Sequence, residues 1–592
     1  MRIRTLLPAI LALIALPYAA AAQQFAVQQP PTVADAVQKI ITQEQAEMQM
    51  LHQYSPLVET YIQLVHPDKE LGAVPDGDRY FLGRAELAKG VELEPLLDGK
   101  GKRKYLSAIG NFFRAEFVPR GFLQMIYLDM DGFDQQHYNF IYQGREFLGD
   151  VRCLVFDVNP RSDAGKDRFV GRIWVEDQDY HIVRFNGGYG NGSRASYFNF
   201  DSWRVNTPKN EWLPSYIYSE EGNVQYGMQS HSSFPAFKSQ TRLWGYDLNR
   251  PQQEQALSSV LIEGPNIKDQ TEAANGYTPL QARRAWARLA EDNVAAKLQA
   301  MGLMAPRGDV DKVLDTVVNN LEVTNNLDIQ PEVRCRVLMT STLESFTMGH
   351  TIVLSRGLID VLPDEQSLAA VLAHELGHVI LGHRMDTEFA FFNHTRFDDK
   401  EAFHHFGFAR SREEETAANQ KAADILKNSP YRNQLGTSEA FFQALQSRVK
   451  EIPNLISPHL GDRVPQERGS LDPTPVATAA KVSTNTVVAL PIGGRITLEP
   501  WSDRLTMLKS APEGGTVAEY EKMPFEVAPF LVYLTRPGRS VAPAPTTASN
   551  TVAVPLNAVP IGALPVATAK LAGSASITAS SDTDTVPADG KP

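Results

Sequence analysis

The sequence predicts a multidomain α+β protein, in which a curved antiparallel β-sheet domain precedes a mainly helical domain with a small sheet. Short β-branched and aromatic runs separated by turn residues recur over residues 67–260, as they do in antiparallel sheets. Over residues 278–470 the apolar residues recur instead at helical spacing, in longer segments. The composition then shifts to Pro, Ala, Thr and Val. We therefore predict a partly ordered extension over residues 471–536 and a disordered tail over residues 537–592.

Length and charge exclude some classes of protein. The chain has 592 residues, enough for two or three domains with their own cores, and a formal net charge of −12. An acidic chain without a stripe of Lys and Arg is not expected to bind nucleic acid. After the N-terminus no run reaches about 18 uncharged apolar residues, so no transmembrane segment is predicted in the mature chain. Peripheral association with the envelope and the oligomeric state stay open.

The N-terminus has the pattern of a cleaved signal peptide. Residues 1–22 contain Arg2 and Arg4, then a short apolar run, then the small residues Ala20–Ala22. An uncleaved anchor is the alternative, but the apolar run is short for spanning a membrane. The sequence therefore predicts a periplasmic or secreted protein.

Residues 23–66 are predicted to form a helical segment before the sheet. Five apolar residues recur there at helical spacing: Val33, Ala36, Val37, Ile40 and Ile41. Within the predicted sheet domain, the strand-like runs 169–175 and 181–185 flank the turn 177–179 and predict a hairpin.

Cys153 and Cys335 fall in different predicted domains, so both an inter-domain disulfide and two buried free thiols stay open.

Residues 371–379 contain the pattern H-E-x-x-H within an apolar run. On a helix His374 and His378 leave the same face one turn apart, so both imidazoles can reach one metal at roughly 2.0–2.1 Å. Glu375 can reach a water activated by that metal and take its proton. A chance match is the alternative, but burying these three polar residues without a partner would cost several kcal/mol. We therefore predict one zinc ion, with Asp364 as the helix N-cap.

The residues after this helix narrow the choice of the third ligand. A metzincin has Gly three residues and His six residues after the second His, where this chain has Leu381 and Arg384. If the helix continued, His383 would lie about 140° round its axis from His378 and outside the site. Neither position is therefore predicted to supply a metal ligand.

A second helical segment begins at Ser411 and carries three consecutive acidic residues, the last of which is Glu415. Glu415 and Asn419 share one face, so one can be a metal ligand while the other supports the site. A run of alanines predicts close packing of this helix: Ala417, Ala418, Ala422 and Ala423. The alternative is a solvated acidic helix start, in which the Glu residues favour the positive end of the helix dipole.

Three stretches together resemble the HtpX-like and CAAX-prenyl-protease-like family of zinc metallopeptidases of the gluzincin type. They are residues 350–358, 368–378 and 415–419. The resemblance implies a zincin-type fold and Glu415 as the third zinc ligand, from an E-x-x-A-D pattern in which Asn419 replaces the Asp. The family's late His-Pro pair reads Ser457-Pro458 here, and His459, one position further on, is given no role.

The predicted sheet domain weakly resembles the lipoprotein-carrier (LolA-like) fold, on residues 171–177 and 182–185. The signal-peptide pattern and the two resemblances together predict an exported zinc metalloendopeptidase that acts on proteins or peptides in envelope protein quality control. His374, His378 and Glu415 would hold zinc, and Glu375 would be the general base. A binding or chaperone-like protein, whose β domain holds lipid or unfolded polypeptide, is the alternative. A metal-dependent hydrolase of a non-peptide substrate is a third.

Two further predictions concern the surroundings of the site. Thr351–Ser355, a short β-branched segment before the metal helix, is predicted to be the sheet edge that receives an extended substrate. The stretch 391–408 is rich in Phe and His. We place its His394, His404 and His405 on the surface or in a lid, with accessory metal ligands as the alternative.

Overall fold

The structure is a computed structural model, and all of the residues that it describes belong to one compact unit. The described residues are 32–68, 72–88, 90–97, 119–130, 132–191, 194–195, 198–221, 224–225, 233–234, 236–246, 279–383, 399–432, 435–463, 496–499, 504–507, 527, 529 and 532–536. The predicted signal peptide (residues 1–22), the predicted disordered tail (residues 537–592) and His394 lie outside them. No helix among these ranges is long and apolar enough to cross a membrane.

The first half of the chain forms one large antiparallel sheet. Helix α1 (Val33–Leu51) precedes it, and α2 (Pro119–Gln124) lies between its third and fourth strands. The strands are β1 (Leu57–Asp68), β2 (Gly72–Glu86), β3 (Glu92–Pro95), β4 (Tyr138–Leu148), β5 (Val151–Pro160), β6 (Arg168–Glu176), β7 (Ile182–Asn191), β8 (Arg194–Ala195), β9 (Asn199–Asn206), β10 (Trp212–Glu221) and β13 (Ala236–Trp244). Their order is β3-β2-β1-β13-β10-β9-β7-β6-β5-β4, with β8 paired to β7. The short strands β11 (Val224–Gln225) and β12 (Ser233–Phe234) pair separately.

Alternation of side chains along β5 places buried apolar residues on both faces of the large sheet. In β5, Val151 and Cys153 join one apolar cluster, whereas Leu154 and Phe156 join the cluster on the opposite face. The second cluster also contains apolar residues of α1, which begins at the N-cap Thr32. The predicted hairpin is present as β6 and β7, which pair antiparallel.

The helical prediction for residues 23–66 is right for α1 and wrong for the segment that follows it. Residues 57–66 belong to β1, which lies inside the sheet and pairs antiparallel with β2 on one side and β13 on the other. Two neighbouring strands satisfy its backbone groups, and this pairing overrides the helical interpretation of a short apolar run. The sheet therefore begins earlier than the predicted residue 67.

The second half of the described chain, residues 279–463, is mainly helical and is called the helical part below. Its elements are α3 (Pro279–Ala300), α4 (Asp309–Thr324), β14 (Arg334–Leu338), β15 (Glu344–Met348), β16 (Thr351–Ser355), α5 (Arg356–Val361), α6 (Glu365–Leu381), α7 (Asp399–His405), α8 (Arg412–Lys427), α9 (Leu435–Ser447), α10 (Pro453–Ile456) and β17 (Asp462–Arg463). Later strands β18 (Ile496–Glu499) and β19 (Arg504–Met507) form a hairpin. The predicted α+β fold class is confirmed.

The small sheet of the helical part has the order β14-β16-β15-β17. The prediction that Thr351–Ser355 is an edge strand is wrong, because β16 is central: it pairs parallel with β14 and antiparallel with β15. All five residues of β16 are buried, which fits a central strand that is covered on both faces.

The large sheet and the helical part share one core. Leu57, Tyr61 and Trp244 of the sheet belong to the same apolar cluster as buried residues of α3, α4 and α6. This shared core does not show where one domain ends and the next begins, so the domain bounds 67–260 and 278–470 stay predictions.

Cys153 and Cys335, each buried, are free thiols. Within the predicted extension 471–536, Leu505 joins the shared core and Leu534 packs on β5.

Candidate metal centre

Helix α6 presents the H-E-x-x-H residues from a buried position. Its N-cap is Asp364, as predicted, and the carboxylate of this residue accepts a hydrogen bond from Ser367 N at 2.8 Å. The helix ends before Gly382, whose φ of 70° lies in the left-handed region that suits glycine. Every residue from Ser367 to Val379 is buried, so the helix passes through the core.

His374, His378 and Glu415 come together at one point. The Nε2 atoms of the two histidines are 3.1 Å apart. Glu415 Oε2 lies 3.2 Å from His374 Nε2, and its Oε1 lies 3.3 Å from His378 Nε2. All three side chains are buried, and in the described part of the chain they form the single His, Cys, Asp and Glu group with metal-binding spacing. Two imidazoles and a carboxylate are a donor set that suits zinc.

Each histidine has a partner on its outer side. His374 Nδ1 lies 2.9 Å from Asn419 Oδ1, and His378 Nδ1 lies 2.8 Å from His383 Nδ1. With a hydrogen on each ligand's Nδ1, both Nε2 lone pairs face the space next to Glu415. Like a carboxylate oxygen, the amide oxygen of Asn419 can accept this hydrogen bond from His374.

The prediction that His383 lies away from His378 is wrong. It assumed a continuous helix, but α6 ends at Leu381 and the left-handed Gly382 turns the chain back. His383 N then donates to His378 O at 3.1 Å, which brings the two rings together. His383 still lies outside the group of three candidate ligands. Burial and the neighbouring His378 both lower the pKa of His383, which favours its neutral form as an acceptor.

Glu415 is held as a carboxylate by the two histidines. Burial acts to raise the pKa of Glu415, but hydrogen bonds and positive charge from His374 and His378, when these rings carry a hydrogen on Nε2, outweigh this effect and hold the pKa well below its usual value. A carboxylate that stays ionised in a buried position needs positive partners, and a divalent metal would provide the same stabilisation.

Helices α6 and α8 pack closely, which brings Glu415 of α8 next to His374 and His378 of α6. A Cβ atom at Gly377 would lie 2.9 Å from Ala418 O, so only glycine fits between the two ligand histidines at this separation. Ala418 and Ala422 are buried, in agreement with the predicted helix packing. Ser411 begins α8 with a capping box to Glu414.

Glu375 has a partner that the sequence did not indicate. Its side chain is fully buried, and its Oε1 accepts a hydrogen bond from Ser345 Oγ of β15 at 2.6 Å. Ser345 precedes Glu375 by 30 residues and lies in no recognisable pattern with it. The strand beside the predicted base is therefore β15.

The other predicted positions lie apart from this group. His404 and His405 are exposed near the end of α7, which fits the predicted surface placement. His459, which was given no role, stacks on Tyr80 of the large sheet, with ring centroids 5.0 Å apart. Arg463 pairs with Glu344 in the small sheet.

Replacing Asn419 tests its support of His374. Asn419→Ala should lower zinc affinity about 10–100-fold, because the buried His374 Nδ1–H loses its acceptor. Asn419→Asp keeps an acceptor and should hold the affinity at or above that of the unmodified protein. The measurement is competition with a chromophoric zinc chelator, and the exposed neighbour Gln420→Ala is the control. Unchanged affinity in Asn419→Ala would contradict the orienting role.

Comparisons with known proteins match the part of the chain that carries this group. Residues 308–459 match the model of Peptidase family M48. The Metalloprotease LoiP of Escherichia coli (strain K12) is 29% identical over 133 residues, which are 22% of this chain and 51% of that protein. The chain thus spans about half the length of this relative.

A solved structure matches a different share of the chain. It is described as a putative outer membrane lipoprotein-sorting protein domain from Vibrio parahaemolyticus. The match covers 35% of this chain and 91% of that chain, at 9% identity and a TM-score of 0.15. At this TM-score the likeness carries no weight, and the antiparallel character of the large sheet rests on its strand pairing.

Proposed function

Because residues 308–459 match Peptidase family M48, we propose that this protein is a zinc metalloendopeptidase that hydrolyses peptide bonds of proteins. The observation that supports this most is the buried group of His374, His378 and Glu415, with Glu375 on the same helix as the two histidines. The donor set, its burial and the outward partners of both histidines fit one zinc ion.

The site residues have two kinds of role: three would bind the metal ion, and one transfers protons. His374, His378 and Glu415 hold the ion. When bound, zinc supplies Lewis-acid chemistry, which polarises the scissile carbonyl and acidifies water. Glu375 takes a proton from the attacking water and later gives it to the leaving amine. Its burial and its place directly after His374 on α6 support this assignment.

Export and a role in envelope protein quality control are part of this proposal. Residues 1–22 support export through their two arginines, short apolar run and Ala20–Ala22. Substrates would then be proteins or peptides outside the cytoplasm.

The binding or chaperone-like alternative receives no support from the described part of the large sheet. One face of the sheet is covered by the chain's own α1, whose Ile40 and Leu51 are fully buried there. Glu44 of the same helix forms a buried pair with Arg204, with both oxygens accepting at 2.6 and 2.7 Å. A ligand on this face would have to displace both the apolar contacts and this pair.

Removing the metal tests the proposal. Cleavage of an unfolded protein such as denatured casein should stop when 1,10-phenanthroline removes the metal, and about one equivalent of zinc per chain should restore it. The isomer 1,7-phenanthroline, which does not chelate, is the control. Elemental analysis follows zinc content in the same samples. Full cleavage by demonstrably zinc-free protein would overturn the assignment.

A further inference from the structure

Strand β15 contacts the candidate base directly. Ser345, fully buried in β15, donates its hydroxyl hydrogen to Glu375 Oε1 at 2.6 Å. A glutamate has three rotatable side-chain bonds, so a fixed donor on one oxygen restricts where the other oxygen lies. Proton transfer is sensitive to such placement, because base and water must meet at hydrogen-bond distance.

The start of β15 is fixed by the loop that follows α10. Glu344 is fully buried, and its Oε2 accepts hydrogen bonds from three consecutive backbone N–H groups, of His459, Leu460 and Gly461, at 3.0–3.1 Å. Ser345 itself pairs with Asp462 of β17. A buried carboxylate that accepts hydrogen bonds from several backbone N–H groups is costly to move, since each N–H group would lose its acceptor.

The large sheet contacts both α10 and the loop that follows it. Asp78 of β2 accepts from Asn454 N at 3.0 Å and Leu455 N at 2.8 Å, at the beginning of α10. Leu455 O in turn accepts from Leu343 N, one residue before β15. The ring of Tyr80 stacks on His459 at an angle of 20°.

A second contact from the large sheet reaches the chain just before β15. Glu59 of β1 accepts from Ser341 N at 2.6 Å and from Ser341 Oγ at 2.7 Å. Tyr80 OH donates to the same carboxylate at 2.5 Å. Tyr80 therefore contacts both segments that flank β15, the one before it through Glu59 and the one after it through His459.

From these contacts we propose that Ser345 is a positioning residue for Glu375, and that the large sheet sets the position of Ser345 through Glu59, Asp78 and Tyr80. This inference rests on the proposed peptidase function. It assigns the large sheet a part in catalysis: a change at its contacts with the segments before and after β15 alters proton transfer without touching the candidate metal ligands.

Substitution of Ser345 tests the first half of the proposal. Ser345→Ala should lower kcat about 10–100-fold, the range seen when orienting partners of active-site groups are removed, with KM and zinc content unchanged. Ser345→Thr keeps the hydroxyl and should recover part of the rate. Ser438→Ala, which removes a buried hydroxyl that contacts Ser367 at the start of α6, is the matched control and should leave kcat unchanged.

The outcomes separate this inference from the proposed function. If the unmodified protein does not cleave protein substrates, the peptidase assignment fails. If it cleaves and Ser345→Ala cleaves at the same rate, Ser345 does not position Glu375. Loss of zinc in Ser345→Ala, or an equal loss of rate in Ser345→Ala and Ser345→Thr, would indicate a structural role and would also overturn the inference.

A double-mutant cycle tests the second half. Tyr80→Leu keeps apolar volume at a half-buried position but removes both the stack on His459 and the bond to Glu59, and should lower kcat about 3–30-fold with zinc retained. In the Ser345→Ala background the same change should have little further effect, because the positioning contact is already absent. Tyr80→Phe keeps the ring and should be milder. Independent, multiplying effects of Tyr80→Leu and Ser345→Ala would show that the large sheet does not act through Ser345.

Discussion

Glu375→Gln is expected to abolish proteolysis while the protein keeps its fold and one zinc ion per chain. The amide has nearly the same shape as the carboxylate and can still accept from Ser345 Oγ, but it cannot take a proton at neutral pH. General acid–base groups contribute about 10²–10⁴-fold to rate, so kcat/KM should fall by at least that factor. The candidate ligands His374, His378 and Glu415 are unchanged, which predicts unchanged zinc content by elemental analysis.

A matched control lies on the same helix. Glu365→Gln makes the same chemical change in the first turn of α6, where Glu365 accepts from Tyr431 OH at 2.9 Å. This variant should cleave at close to the normal rate. Normal cleavage by purified Glu375→Gln, with zinc bound, would remove Glu375 from the mechanism.

Glu415→Ala should have the second-largest effect, on metal binding. It removes one of three candidate ligands from a buried group, so zinc affinity should fall by more than the roughly 10–100-fold expected for loss of an outer hydrogen-bond partner. Competition with a zinc chelator measures the change. Proteolysis at limiting zinc should fall with it.

The two preceding glutamates are the controls for Glu415. Glu413 is exposed, and Glu413→Ala should leave zinc affinity unchanged. Glu414 bonds the N-cap Ser411, so Glu414→Ala should cost about 1 kcal/mol of stability while keeping the metal. Equal zinc affinity in all three single variants would mean that the third ligand lies elsewhere.

The sequence by itself determined the parts of the site that depend on helix periodicity. A spacing of four residues places His374 and His378 on one face whatever the rest of the chain does, and the N-cap at Asp364 is likewise local. The shared face of Glu415 and Asn419 followed from the same rule, and resemblance to a family predicted Glu415 as the ligand. Recurring β-branched and aromatic runs separated by turn residues predicted the large antiparallel sheet, because these residue types favour strands locally.

Only the tertiary structure decided which segments meet. Residues 57–66 became a strand because the next strand, β2, and the distant strand β13 both pair with them, and Thr351–Ser355 became central because β14 and β15 flank it. His383 reached His378 because the helix stops at Gly382, and Ser345 reached Glu375 across 30 residues. Contacts of this kind depend on which long-range pairings satisfy the most backbone groups and bury the most apolar surface. That is a property of the whole chain, which no local spacing contains.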